Sequence, residues 1–161
     1  MVRDPAGDVG SSGLDVARVE LGRASDGRVR ASVTMAKAWS ARDLLAKSGP
    51  PGTICVRIWL GGRRPSASQP DYLVCATVGA DNDRLKASVL HEQSGKLPER
   101  VAGATATKPS ARTAVLRFGQ SALGRPKALH FAVETAAAGC ERLSCLDTAP
   151  DAPKSARLDL R

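Results

Sequence analysis

Five aspartates carry the chemistry most readily read from this chain. Asp4, Asp8 and Asp15 fall within DPAGDVGSSGLD (4–15), where glycines and a proline exclude a helix and permit sharp turns. Asp147 and Asp151 flank Pro150 in DTAPD, directly after Cys145. Carboxylates on turn-forming backbone suit a hard cation such as calcium, which takes roughly six to eight oxygens from carboxylates, carbonyls and water. Chain ends of one domain often lie close together, so the two acidic segments are expected to meet and share such an ion. The competing reading is purely local: Asp15 caps the first strand, and Asp147 starts a turn before Pro150.

The other reactive side chains are few. Cys55, Cys75, Cys140 and Cys145 form no CxxC pair, which leaves zinc-ribbon and thioredoxin-like motifs without support and makes two disulfides the leading account. Alternation places Cys55 and Cys75 on the non-aliphatic sides of TICVRIWL and YLVCATV, opposite one another if the two runs pair as a hairpin. Cys140 and Cys145 then close a small loop. Only His91 and His130 offer an imidazole base, each in a strand-like run, and no GxSxG, phosphate-binding loop or dinucleotide fingerprint occurs, so a non-enzymatic chain is expected. Met35 with His91 or His130 is the one pairing that would clasp a haem, although a Met ending an apolar stripe is usually core. Trp39, Trp59 and Tyr72 are the candidate platform for a sugar ring.

These residues must be positioned by a chain of 161 residues, enough for one domain, 1–161. Only 3% of it is aromatic, so aliphatic side chains must fill the core. Net charge is +8, yet the basic residues are spread along the whole sequence, so nucleic acid is not the expected partner. No run of 18 apolar residues is present and membrane insertion is not expected. Two disulfides imply an oxidising compartment. The chain therefore reads as extracellular or cell-surface, a mature fragment whose leader has been removed.

Hydrophobic periodicity is almost entirely of period two. Residues 14–21, 27–35, 53–60, 71–78, 84–91, 112–118, 128–135 and 155–161 each read as a strand, with a hairpin turn at 24–27. Residues 39–49 read as a short helix of about two turns, capped by Ser40 and stopped by Gly49. Long loops are expected at 61–70, 93–111 and 136–154. The fold class that follows is all-β: a single-domain antiparallel β-sandwich, jelly-roll or immunoglobulin-like, of about eight strands with one short helix in a crossover.

Asp4, Gly7-Asp8 and Leu14-Asp15-Val16, leading into LDVARVEL, resemble the opening of bacterial exported sandwich domains similar to DOMON-like and family 9 carbohydrate-binding modules and to the calcium-bearing C-terminal module of glucodextranase. FGQSALGRPKALHFAVET is similar to a later polar loop and strand of those domains. The resemblance implies a non-catalytic exported accessory domain, with calcium on acidic loops in some members and sugar or haem in others. The expected partner is then a glycan or cell-surface component. The scarcity of aromatics departs from the sugar-binding pattern, and the lack of a paired Met and His departs from the haem-binding one.

Overall fold

The computed structural model describes residues 1–5, 7, 14–61, 69–79, 84–140, 145–151 and 154–160. Alternating side chains over these residues give eleven strands: β1 (Val2–Arg3), β2 (Val16–Arg23), β3 (Val29–Met35), β4 (Thr53–Leu60), β5 (Tyr72–Val78), β6 (Leu85–His91), β7 (Glu99–Thr107), β8 (Thr113–Phe118), β9 (Ala128–Ala136), β10 (Leu146–Ala149) and β11 (Ala156–Asp159). All eight expected runs contain a strand. The count rises to eleven because β1 and β10 are very short and because β7 lies inside the stretch 93–111 expected to be loop. β10 likewise falls within 136–154. In β7 the inward residues are Ala102, Ala104 and Ala106, whose small side chains give a weak hydrophobic signal.

Every pairing is antiparallel, in the order β1-β2-β3-β8-β7-β6-β5-β4-β9-β10. The strands follow one hydrogen-bonded path, nearly closed into a barrel, because β7 serves two neighbours: Glu99–Ala104 faces β6 and Thr105–Thr107 faces β8. At the far end, β9 gives one edge to β4 along Leu129–Ala136. Its other edge is divided between β10, opposite Val133–Ala136, and β11, opposite Ala128–Phe131. β10 then packs against β2, so the two ends of the sheet meet without a shared ladder.

The inner face carries Val19, Val33, Ile54, Val56, Ile58, Val74, Leu116, Phe118, Leu129, Phe131 and Val133, all buried. Leu44 and Leu123, each on a 3-10 turn, also belong to this cluster. The helix expected over 39–49 is reduced to one such turn, Ala41–Leu44. The Leu44 carbonyl accepts from the Gly52 N–H, 3.0 Å away, and Leu45 is already extended, so the chain turns toward β4 instead of continuing the helix. The 24–27 turn forms as read: Gly27 takes φ +75° and donates its N–H to the Ala24 carbonyl.

Both disulfides form, Cys55–Cys75 and Cys140–Cys145. Cys55 and Cys75 are direct cross-strand partners in the β4–β5 ladder. Among the described residues no helix is long and apolar enough to cross a membrane, a statement that does not bear on membrane β-barrels.

Candidate functional site

The place where the sheet's two ends meet is built from aspartates. Leu14, fully buried, anchors the entry to β2, and its carbonyl accepts the Thr135 hydroxyl of β9 at 2.6 Å. The next residue, Asp15, is 3% exposed. Its Oδ2 accepts the Gly7 N–H at 2.8 Å, a contact reached with Gly7 at φ +100°, where a residue with a Cβ would be strained. The Asp15 carbonyl accepts from Ala36, which ties the start of β2 to the end of β3. Asp147 reaches across from β10, and its Oδ2 accepts the Val16 N–H at 2.5 Å. Asp4 follows β1 and donates its backbone N–H to the Ala17 carbonyl.

Three of the five expected ligands, Asp4, Asp15 and Asp147, are therefore buried and converge on the Asp15–Ala17 stretch. Asp151 does not join them. It is half-exposed and lies 3.9 Å from Lys154. Asp8 lies outside the described residues. Among the described residues no three His, Cys, Asp or Glu side chains form a metal-ligand group. A feature of the seam is unbalanced: Asp15 Oδ1 is buried and, among the described residues, has no hydrogen-bond partner. A buried carboxylate oxygen in that condition costs free energy unless something positive reaches it.

The three aromatic candidates are not brought onto one surface. Trp39 is only 5% exposed, with Lys108 Nζ 5.2 Å from its ring centroid. Tyr72 pairs with Ile58 in the ladder, packs on the core and stacks on His91 at 4.9 Å. Trp59 alternates to the outer face, where its Nε1 donates to the Gln69 carbonyl and the Arg57 guanidinium sits 5.3 Å from the ring. Beside it opens a depression of about 300 Å³ lined by Arg57, Gln69, Pro70, Leu73, Glu92 and Glu134, with Arg57 and Glu134 paired at 3.2 Å.

Neither histidine faces Met35. Met35 is fully buried at the end of β3, beside the start of β8, whereas His91 pairs with Glu99 at the opposite end of β7. His130 lies on the outer face of β9, level with Trp59 and Arg157. It does meet a serine, since Ser155 Oγ is 3.3 Å from Nδ1. Among the described residues the remaining nitrogen, Nε2, is buried without a partner, and no carboxylate orients the ring as a nucleophile's base requires. The contact anchors the chain as it enters β11.

One group escaped sequence reasoning. Arginines far apart in the chain become neighbours across strands: Arg3 faces Arg18, and Arg30 faces Arg117. The available signal was the alternation that puts Arg18, Arg28, Arg30 and Arg117 on the polar sides of their runs. What alternation cannot supply is the order of strands. Compared with protein families, with curated proteins and with solved structures, the chain matches none of them.

Proposed function

We propose that the chain is a non-catalytic, exported binding domain whose aspartate seam holds a calcium ion. The observation that supports the ion is the buried Asp15 Oδ1, which has no hydrogen-bond partner among the described residues, in a seam where Asp4 and Asp147 are also buried. Asp15 supplies the oxygen, and Asp4 and Asp147 add negative charge, a carboxylate set of the kind calcium accepts together with backbone carbonyls and water. The ion's role is structural, fastening the N-terminal segment and β10 to the start of β2. Export is supported by the two disulfides.

Melting in millimolar calcium against chelator tests the ion. Binding confined to the folded state adds about 2.7 kcal/mol at a hundredfold excess over the dissociation constant. For a chain of this length that is a rise of roughly 5–10 °C. Asp15→Asn keeps an acceptor for Gly7 but removes the charge. It is expected to melt alike in both buffers and, in chelator, to melt above the wild type, because an uncompensated buried charge has gone. Equal melting of the wild type with and without calcium would sink the ion and leave the aspartates as turn and backbone acceptors.

A second reading, a carbohydrate-binding module, is favoured by Trp59 and the depression beside it. It expects retention on a neutral glycan that Trp59→Ala abolishes. A silent array of neutral glycans removes it.

A further inference from the structure

Charge is not shared evenly around the outside of the sheet. On β4, β5 and β9 the outward residues include Arg57, Glu134 and the Cys55–Cys75 bridge, with Asp71 just before β5 and Glu92 just after β6, and the acids are paired to donors: Arg57 to Glu134, Gln69 to Glu92, and the Leu60 N–H to Asp71. On the section β1-β2-β3-β8-β7 the register sets three rows across the strands. The first runs Arg3, Arg18, Thr34, Thr113; the second Glu20, Ser32, Val115, Thr107; the third Gly22, Arg30, Arg117, Thr105. Four arginines and five hydroxyls thus face one way, with Glu20 the single acid, occupied by Arg18.

Like charges directly opposite in a ladder destabilise it. Here two such pairs, Arg3 with Arg18 and Arg30 with Arg117, stand on one face, and among the described residues no ion pair or side-chain hydrogen bond holds Arg3, Arg30 or Arg117. Strands lie about 4.8 Å apart, and the outer rows are separated by four residues, roughly 13 Å along the strand. This is an array of cationic forks, interleaved with hydroxyl side chains.

We propose that this face binds an anionic glycan: a sugar or polyol chain carrying repeated phosphate, sulfate or carboxylate groups. The proposal goes beyond calcium and does not depend on it; it rests only on the chain being a binding domain. Guanidinium forks meet such groups through two parallel N–H···O bonds, and the exposed Thr105 and Thr107 supply hydrogen bonds to neighbouring hydroxyls, whereas Ser32 is buried and Thr34 and Thr113 are 3.3 Å from each other. Nucleic acid is disfavoured because none of the chain's five aromatic residues lies in these rows for bases to stack on. A lipid surface is disfavoured because the only large apolar residue of the rows, Val115, is 2% exposed and offers nothing to insert.

The test uses the full chain with both disulfides intact, in chelator, and measures binding to heparin, a polyglycerol phosphate, a polygalacturonate, neutral dextran, single-stranded DNA and anionic vesicles across a salt series. The expected result is salt-dependent binding to at least one charged glycan, tighter than to DNA or vesicles, and none to dextran. The three glycan arms show which acid is preferred. Arg30→Gln with Arg117→Gln is expected to lower that affinity roughly tenfold, while Lys86→Gln with Lys96→Gln, an equal loss of charge on β6 and the turn after it, changes it less than about twofold. Glu20→Gln should raise affinity about two- to threefold, a gain that misfolding cannot mimic. Equal losses from the two double variants, tighter binding to DNA or vesicles, or no binding to any charged glycan would overturn the proposal. Binding to dextran alone would overturn it while leaving the binding-domain reading intact, and glycan cleavage would remove that reading itself.

Discussion

The aspartate seam and the arginine face are both charged, and they use charge in opposite ways. In the seam, Asp4, Asp15 and Asp147 are withdrawn from water, and Asp15 and Asp147 spend an oxygen on the backbone N–H of Gly7 and of Val16. On the face, Arg30 and Arg117 stand side by side with no partner among the described residues. A buried charge must be answered where it lies, so it fixes conformation. A partly exposed charge left unanswered within the chain remains available to another molecule.

That contrast can be broken by substitution. The largest effect is expected from Asp147→Ala, which leaves the buried Val16 N–H without its acceptor and frees the end of β10; a loss of about 2–3 kcal/mol in denaturant unfolding is expected. Stability unchanged would mean that β10 is not what closes the sheet. Next comes Gly52→Ala, beside the same end of β9, where a Cβ would stand 2.9 Å from the Ala136 oxygen and the Ala138 nitrogen. Because those atoms are backbone, a cost of about 1–3 kcal/mol is expected, read as a lower midpoint at constant slope. Thr135→Val removes only the hydroxyl bonded to the Leu14 carbonyl and should cost about 1 kcal/mol. Smallest is Arg30→Gln, expected within about 0.5 kcal/mol of the wild type, on the stabilising side if repulsion from Arg117 is felt. A large destabilisation there would make the arginine face structural and erase the contrast.

Legibility in the sequence divides along the same line. Alternation reports a residue's own side of its own strand, so Thr53–Leu60 could be read from end to end, and so could the facing of Cys55 toward Cys75. It fails where inward residues are small, as at Ala102, Ala104 and Ala106, and where strands are short, as at Leu146–Ala149. The helix over 39–49 was overestimated because local capping says nothing of the Gly52 N–H that takes the Leu44 carbonyl. The aspartates could be nominated because turn chemistry is local. The arginine rows could not, because β3 and β8 are joined by pairing across more than 75 positions of sequence, Arg30 meeting Arg117.

The Cys55–Cys75 bridge has a practical corollary for the connection between β4 and β5. Because the bridge joins the two strands that flank this connection, a protease cutting between residues 61 and 71 would open the backbone without releasing a fragment. The nicked molecule would run as one species until reductant is added and then as two. The connection is thereby a natural place to insert a tag, a fluorophore or a short epitope, since the covalent clasp holds the register of the ladder whatever length of chain is spliced between its ends.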